Sequence, residues 1–208
     1  MNNNEIHPTA IVSPRAILGM GNYIGPYCII GGGVDIGNNN VFTSHVSVGA
    51  PAQHRSYDQQ HCTNDVNIGN NNTFREFVTI NGGTTGPTRV GSDCFIMSCA
   101  HISHDSVIQD KVTMANCALI GGHVIVMEGA TLSLGCQVHQ YQVIGAYSML
   151  GMGTVVPKHA IIRPGKKYAG NPVHDMYSVN QIAIDRNNLT ADDFERFCNE
   201  FKQLLEKK

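Results

Sequence analysis

The sequence predicts an all-β solenoid, a parallel β-helix of hexapeptide repeats, followed by a short α-helical tail. Two observations predict the solenoid: apolar residues recur every six positions, and small residues recur at a fixed place within that period. A third observation, apolar residues at helical spacing near the C-terminus, predicts the tail. We therefore divide the 208-residue chain into a repeat domain, residues 1–172, and a helical segment, residues 173–208.

The six-residue period covers three stretches of the chain. Every sixth residue is apolar over 6–48, 68–80 and 90–162. Neither an α-helix nor an ordinary strand has this period, whereas a hexapeptide β-helix does, with three hexads closing one triangular coil of 18 residues. The 24 apolar positions predict about eight coils whose apolar side chains point into the prism.

Some cysteines belong to the six-residue repeat. A small residue often stands two places before the apolar position, and cysteine is one of the residues found there. Cys28, Cys94 and Cys136 occupy that place, and we interpret them as packing residues. The chain has 7 cysteines and no C-x-x-C pair. This usage predicts a reduced protein without a disulfide framework or a zinc ribbon.

The period is interrupted twice, by "APAQHRSYDQQHCTND" after residue 48 and by "NGGTTGPTR" after residue 80. Excursions from a solenoid tend to lie on a binding face, so we expect both near a functional site. In the tail, Thr190 and Asp193 form an acidic variant of a capping box. The apolar stripe that follows is expected to pack on the prism or on a neighbouring subunit, and it contains Phe194, Phe197, Phe201, Leu204 and Leu205.

Composition excludes several classes of protein. The formal net charge is −2, whereas a nucleic-acid binder usually carries clustered positive charge, so we do not expect binding to nucleic acid. No apolar run reaches the roughly 18 residues that a membrane span needs. The first residues lack a basic segment followed by an apolar one, so we expect no secretory signal and a cytoplasmic protein.

The phase of the repeat places the histidines. Ile102 points inward, so His101 and His104 are not core positions. Residues 18 apart stack on adjacent coils, which puts Gly122 above His104 and His123 above Asp105. The predicted wall contains His101, His104, Asp105, Gly122, His123, His139 and Gln140.

This wall suits acyl transfer. A histidine takes a proton from the attacking group, a carboxylate orients the ring, and a backbone N–H beside a glycine binds the developing oxyanion. His104, Asp105 and Gly122 are the candidates for these three roles. An ordinary surface histidine is the alternative at His104 that the phase leaves open.

Four segments carry a family resemblance: "IGNNNTFREFVTINGGT", "TRVGSDCFIMSCAHISHDSVI", "ANCALIGGHV" and "CQVHQYQVIGAYSMLGMGTVVPKHA". They resemble the UDP-N-acetylglucosamine O-acyltransferases of lipid A synthesis. The resemblance implies a left-handed β-helix, a homotrimer with active sites between subunits, and no bound cofactor. It implies that His104 is the general base, that Asp105 assists it, and that the Gly122 amide binds the oxyanion.

By the same resemblance, further residues contact the substrates, a nucleotide sugar and an acyl thioester. They are Gln53, His101, His123, His139, Gln140, Asn180 and Arg186. Some hexapeptide helices are carbonic anhydrases with three histidine ligands. Their paired histidines lie five apart, whereas His101 and His104 are three apart, so we expect no metal site.

The chain departs from the family where substrates bind. Ser56 replaces a lysine, His54 an aspartate, Asn81 a histidine and Ile182 an acidic residue. These changes leave two acceptors open: UDP-N-acetylglucosamine, or a nucleotide-linked amino sugar that is N-acylated for a surface polysaccharide.

The donor is open as well, between acyl carrier protein and coenzyme A. An acidic carrier protein would need basic residues, for which Arg163, Lys166 and Lys167 are candidates. A non-catalytic scaffold subunit is the alternative of another class, because such a protein needs the apolar ladder but no histidine wall.

Overall fold

The computed structural model describes residues 3–55 and 65–206, and their repeat region is a parallel β-solenoid of about 9 turns. The first seven turns each contribute one short strand to each of three sheets, which form the faces of a triangular prism. The predicted period is confirmed. The prediction of about eight coils was one short, because Lys166–Ala169 adds a further strand to sheet A.

The strands are numbered in chain order. Sheet A contains β1 (Glu5–Ile6), β4 (Tyr23–Ile24), β7 (Val41–Phe42), β10 (Thr73–Phe74), β13 (Phe95–Ile96), β16 (Thr113–Met114), β19 (Thr131–Leu132), β22 (Met149–Leu150), β24 (Lys166–Ala169) and β25 (His174–Val179). Sheet B contains β2 (Ile11–Val12), β5 (Ile29–Ile30), β8 (Ser47–Ala50), β11 (Thr79–Asn81), β14 (His101–Ile102), β17 (Leu119–Ile120), β20 (Gln137–Val138) and β23 (Val155–Val156). Sheet C contains β3 (Ile17–Leu18), β6 (Val34–Ile36), β9 (Val66–Ile68), β12 (Thr88–Val90), β15 (Val107–Ile108), β18 (Ile125–Val126) and β21 (Val143–Ile144).

The inward residues form one continuous core along the prism axis. Ile102 pairs in register with Ile120, which pairs with Val138, and the three are at most 5% exposed. Burying such an isoleucine contributes about 1.5–3 kcal/mol. Ile6 of the first turn is 44% exposed, because that turn has a neighbouring turn on one side only.

The corners of the prism place side chains in stacks. One residue in most corners has a left-handed backbone, including Asp105 (φ 58°), His123 (φ 58°) and Tyr141 (φ 62°). This region is sparsely populated by residues other than glycine, although aspartate and histidine tolerate it better than most. Because these three corners lie one coil apart, their side chains line up along the edge between sheets B and C.

The C-terminal segment is only partly helical. Residues 173–208 were predicted to be helical throughout, which is wrong for β25, a strand that pairs antiparallel with β24. Two helices follow, α1 (Gln181–Asn187) and α2 (Ala191–Glu206). None of the helices in the described ranges has the length and apolar character needed to cross a membrane.

Helix α2 begins and packs as its sequence predicts. The Thr190 N–H donates to Asp193 Oδ2 (2.9 Å), and the Asp193 N–H donates to Thr190 Oγ1 (3.2 Å), which confirms the capping box. Phe197 and Phe201 are buried in a cluster with Val143 of sheet C. The apolar stripe therefore covers the chain's own prism.

Candidate active site

A buried histidine–aspartate pair lies at the corner that follows β14. His104 Nδ1 is 2.7 Å from Asp105 Oδ2, and His104 is only 6% exposed. This hydrogen bond leaves Nε2 as the ring nitrogen available for a proton transfer. The phase of the repeat correctly excluded His104 from the apolar core, and the ordinary surface histidine is excluded by its burial.

The second excursion closes around Asp105. Its carboxylate accepts hydrogen bonds from the N–H groups of Thr84, Thr85 and Gly86 and from both threonine hydroxyls, at 2.7–3.1 Å. Burial alone would raise the pKa of Asp105. The hydrogen bonds from Thr85, His104 and Thr84 outweigh burial and hold this pKa well below its usual range. Asp105 therefore stays ionised and fixed beside the histidine ring.

Gly122 forms the surface against which the His104 ring lies. A β-carbon added at Gly122 would be 2.6 Å from His104 Cε1 and 2.8 Å from Nε2. Within residues 3–55 and 65–206, the Gly122 N–H donates no hydrogen bond. Gly122 thus lies against the ring of the candidate base, and its role as oxyanion donor stays a prediction.

Two more histidines flank the pair. His123 Nε2 is 3.7 Å from Asp105 Oδ2, and its ring stacks on Tyr141 with centroids 4.5 Å apart. His101 Nδ1 is 2.8 Å from Thr79 Oγ1. Burial, and then the nearby His104, lower the pKa of His101. Burial also lowers the pKa of His123 and outweighs the opposing effect of Asp105, so both rings favour the neutral form.

His101 also lines a groove on the outer face of sheet B, with a volume of about 500 Å³. Leu119, Val155 and Pro157 contribute its apolar lining, and His139 lies at its edge. His139 Nδ1 is 2.9 Å from the Gln140 carbonyl oxygen, and both residues are exposed. The predicted wall is thus assembled in one chain, and an apolar groove extends from it.

The described beginning of the first excursion, residues 50–55, also reaches the site. The ring of His54 meets His104 edge-on, with centroids 5.8 Å apart, and Gln53 precedes it as an exposed residue. Asn81 anchors this segment, because its Nδ2 donates to the Pro51 carbonyl (3.1 Å). Asn81 Oδ1 is buried and has no hydrogen-bond partner in the described part of the chain. Ser56 lies outside the described residues.

Asn180 and Arg186 are not brought to His104. They line a separate cleft of about 340 Å³ between α1 and sheet A, together with Lys111 and Tyr147. Asn180 is buried, and its Nδ2 donates to the Tyr147 carbonyl (3.0 Å). The sequence-predicted residues therefore form two groups within one chain.

Several residues of the site had no assigned role from sequence. Thr84 and Thr85 hold Asp105, and the Asp105 N–H donates to Thr88 Oγ1 (2.9 Å). These threonines lie in or beside an excursion, where the period gives no position. The stacking of Tyr141 on His123 could be predicted from the period, because the two residues lie one coil of 18 residues apart.

The buried cysteines behave as packing residues. Cys28, Cys94 and Cys136 belong to the prism core. Burial raises the pKa of all three thiols, that of Cys94 to about 12. They carry no reactive thiolate at neutral pH.

A β-helical prism with a buried histidine–aspartate pair against an unpaired amide is the architecture of a hexapeptide-repeat acyltransferase. The chain is 37% identical over 208 residues to the acyl-[acyl-carrier-protein]–UDP-N-acetylglucosamine O-acyltransferase of Syntrophobacter fumaroxidans, with 90% of this chain and 79% of the relative covered. The same-named protein of Herminiimonas arsenicoxydans is 36% identical over 187 residues, with 80% and 70% covered. The chain belongs to the family of UDP-N-acetylglucosamine O-acyltransferases and is an acyltransferase of the O-acyl type.

Solved structures agree with this assignment. The UDP-N-acetylglucosamine acyltransferase of Francisella novicida superposes with a TM-score of 0.76 at 27% identity, over 95% of this chain and 78% of that one. LpxA from Acinetobacter baumannii gives a TM-score of 0.79 at 29% identity, over 95% and 83%. These neighbours are left-handed β-helices, as expected for this chain. No model of a known protein family matches the sequence.

Proposed function

We propose that the protein transfers a 3-hydroxyacyl group from acyl carrier protein to a hydroxyl of UDP-N-acetylglucosamine. The relatives are named for this donor and this acceptor. The observation that carries the proposal is the His104–Asp105 hydrogen bond of 2.7 Å, with the His104 ring lying directly against Gly122. We assign the roles of base, orienting carboxylate and oxyanion donor to His104, Asp105 and Gly122 at this corner.

The proposed reaction needs no covalent enzyme intermediate. His104 Nε2 takes the proton of the acceptor hydroxyl while the hydroxyl oxygen attacks the thioester carbonyl carbon. The Gly122 N–H stabilises the oxyanion that forms. The carbon–sulfur bond then breaks, and the imidazolium returns its proton to the leaving thiolate. Asp105, already ionised, stabilises the imidazolium in between.

Homotrimer formation is part of the proposal. Asn180 and Arg186 lie in a cleft apart from His104 within one chain, so a neighbouring subunit is needed to bring a nucleotide-binding group to the catalytic corner. The Arg186 guanidinium suits a diphosphate, which it can bind with two parallel hydrogen bonds. Light scattering on the purified protein measures the subunit number.

The donor is proposed on charge as well as on the relatives' names. Arg163 is exposed beside the half-buried Lys166 and Lys167 at the last turn of the prism. This basic surface suits an acidic carrier protein, although the phosphates of coenzyme A would also favour cations. Cofactors play no part in the proposed reaction.

A second acceptor is favoured by one observation. Two of the positions that depart from the family lie near His104: the His54 ring meets the His104 ring, and Asn81 holds the segment that carries His54 through the Pro51 carbonyl. A changed acceptor side beside an unchanged base favours the same chemistry on a related sugar. N-acylation of a nucleotide-linked amino sugar, with coenzyme A as donor, is therefore the competing function.

One assay separates the two. The protein is incubated with UDP-N-acetylglucosamine and 3-hydroxyacyl carrier proteins of several lengths, and the nucleotide sugar is followed by mass spectrometry. A mass gain of one acyl group supports the proposal and gives the preferred length. No gain, together with acylation of the corresponding amino sugar by an acyl-coenzyme A, establishes the second function. A folded protein inactive on both pairs supports a non-catalytic scaffold.

A further inference from the structure

We propose that His104, Asp105 and His123 form an exchangeable binding site for Zn²⁺, and that the bound cation inhibits acyl transfer by occupying the catalytic base. One potential ligand atom from each residue lies within 4.8 Å of the other two. The inhibitory consequence rests on the proposed function, whereas the binding step does not. The histidine spacing argued against a resident metal ion, and the present site is instead a reversible one.

The donor set matches the preference of zinc. Two imidazoles and one carboxylate are a common protein ligand set for Zn²⁺, with a fourth position left open. Tetrahedral ligands at bond lengths of about 2.0–2.1 Å lie roughly 3.4 Å apart. The distances to Asp105 Oδ2 are 2.7 Å from His104 Nδ1 and 3.7 Å from His123 Nε2. Small side-chain rotations therefore bring the three atoms into coordination range.

The surroundings of the three ligands hold them in place. Asp105 Oδ1 is fixed by the N–H groups of Thr85 and Gly86. Oδ2 is fixed by the N–H and the hydroxyl of Thr84 and lies within 3.7 Å of a nitrogen of each imidazole. The ring of His123 lies flat on Tyr141, with an interplanar angle of 6°. Outer contacts that orient metal ligands in this way strengthen metal binding.

A further imidazole lies next to the three ligands. The ring centroid of His54 is 5.8 Å from that of His104.

Zn²⁺ bound at this site would stop acyl transfer directly. A cation bound to His104 Nδ1 replaces the hydrogen bond to Asp105 and forces the ring proton onto Nε2, which then has no free lone pair to take the acceptor's proton. Inhibition should therefore be reversed by a chelator. No covalent bond is made or broken in this step.

The test is a titration of the chelator-treated full-length protein with Zn²⁺ by calorimetry and with Co²⁺ by absorption spectroscopy. We expect one saturable site per chain and the intense visible absorption of tetrahedral Co²⁺. The variant His123→Asn should lose at least about tenfold in affinity. The matched control is His45→Asn, because His45 occupies the same kind of left-handed corner but stacks between Tyr27 and Phe77.

Three results would overturn the proposal: no saturable binding, equal affinity in His123→Asn and His45→Asn, or binding that leaves acyl transfer unchanged. The binding measurements need no substrate. A protein that binds Zn²⁺ at this site but shows no acyl transfer before metal is added would contradict the proposed function and the inhibitory role, while the binding site itself would stand.

Discussion

The His104 imidazole lies so close to the Gly122 backbone that a β-carbon at position 122 would be 2.6 Å from Cε1. No side chain other than hydrogen fits between them. This contact fixes the position of the His104 ring relative to Gly122, whose N–H we propose as the oxyanion donor. Replacing Gly122 with alanine, the smallest possible substitution, therefore tests whether this contact matters for catalysis.

We expect Gly122→Ala to lower kcat by roughly 10²-fold or more, because the methyl group displaces the base and the oxyanion donor relative to each other. Steady-state kinetics of acyl transfer measure the effect, and circular dichroism checks the fold. The control is Gly151→Ala, whose added carbon would meet the Ala169 side chain at 3.2 Å. Equal activity in the two variants would argue against a catalytic role for this contact.

Asp105→Asn should reduce kcat by about 10²- to 10⁴-fold. The amide loses the charge that stabilises the imidazolium and presents a donor where two oxygens now accept N–H groups from Thr84, Thr85 and Gly86. Hydrogen exchange should also become faster at these three loop amides. The control is Asp110→Asn, which removes a charge but keeps a side-chain oxygen that can accept the Ser92 N–H. Protected loop amides in Asp105→Asn would contradict the proposed anchoring.

The pH dependence of stability offers a separate check on Asp105. Its folded-state pKa is depressed, so the carboxylate stabilises the folded protein above its unfolded pKa of about 3.9 and loses this contribution as the pH falls through the lower folded value. Urea unfolding of the protein and of Asp105→Asn should therefore show a difference in unfolding free energy at pH 7 that narrows below about pH 4. A difference that stays constant with pH would contradict the assignment.

Asn81→Ala should weaken acceptor binding more than it slows the reaction. The change removes the hydrogen bond to the Pro51 carbonyl, worth about 1 kcal/mol, and releases the segment that carries Gln53 and His54. We expect KM for the nucleotide sugar to rise roughly fivefold with kcat little changed. Asn116→Ala, at an exposed corner, is the control. A fall in kcat at constant KM would place Asn81 with the base rather than with the acceptor.

Much of the fold could be predicted from the sequence, because each six-residue repeat forms one side of a triangular coil. The period fixed the inward position of Ile102 and the stacking of Gly122 on His104, since every coil of 18 residues repeats the same geometry. The capping box at Thr190 could be predicted as well, because it depends on two residues only three positions apart in the sequence. Such features depend on short-range rules that a single sequence displays.

The structural features that the sequence did not predict lie where the six-residue period is interrupted or has ended. The threonines that bind Asp105 sit in or beside the second excursion, and the approach of His54 to His104 depends on the first. Strand β25 was missed because its six residues follow the last coil and pair antiparallel with β24, outside the repeat. Long-range contacts of this kind leave no periodic signal.

The most direct test of the account is the rate of acyl transfer by His104→Ala at saturating substrates. We expect kcat to fall by about 10²- to 10⁴-fold while the circular dichroism spectrum, the subunit number and the binding of nucleotide sugar are retained. His139→Ala, at the exposed edge of the wall, should lose far less kcat. A His104→Ala variant that keeps the rate of the unsubstituted protein would contradict the central claim that this histidine is the general base.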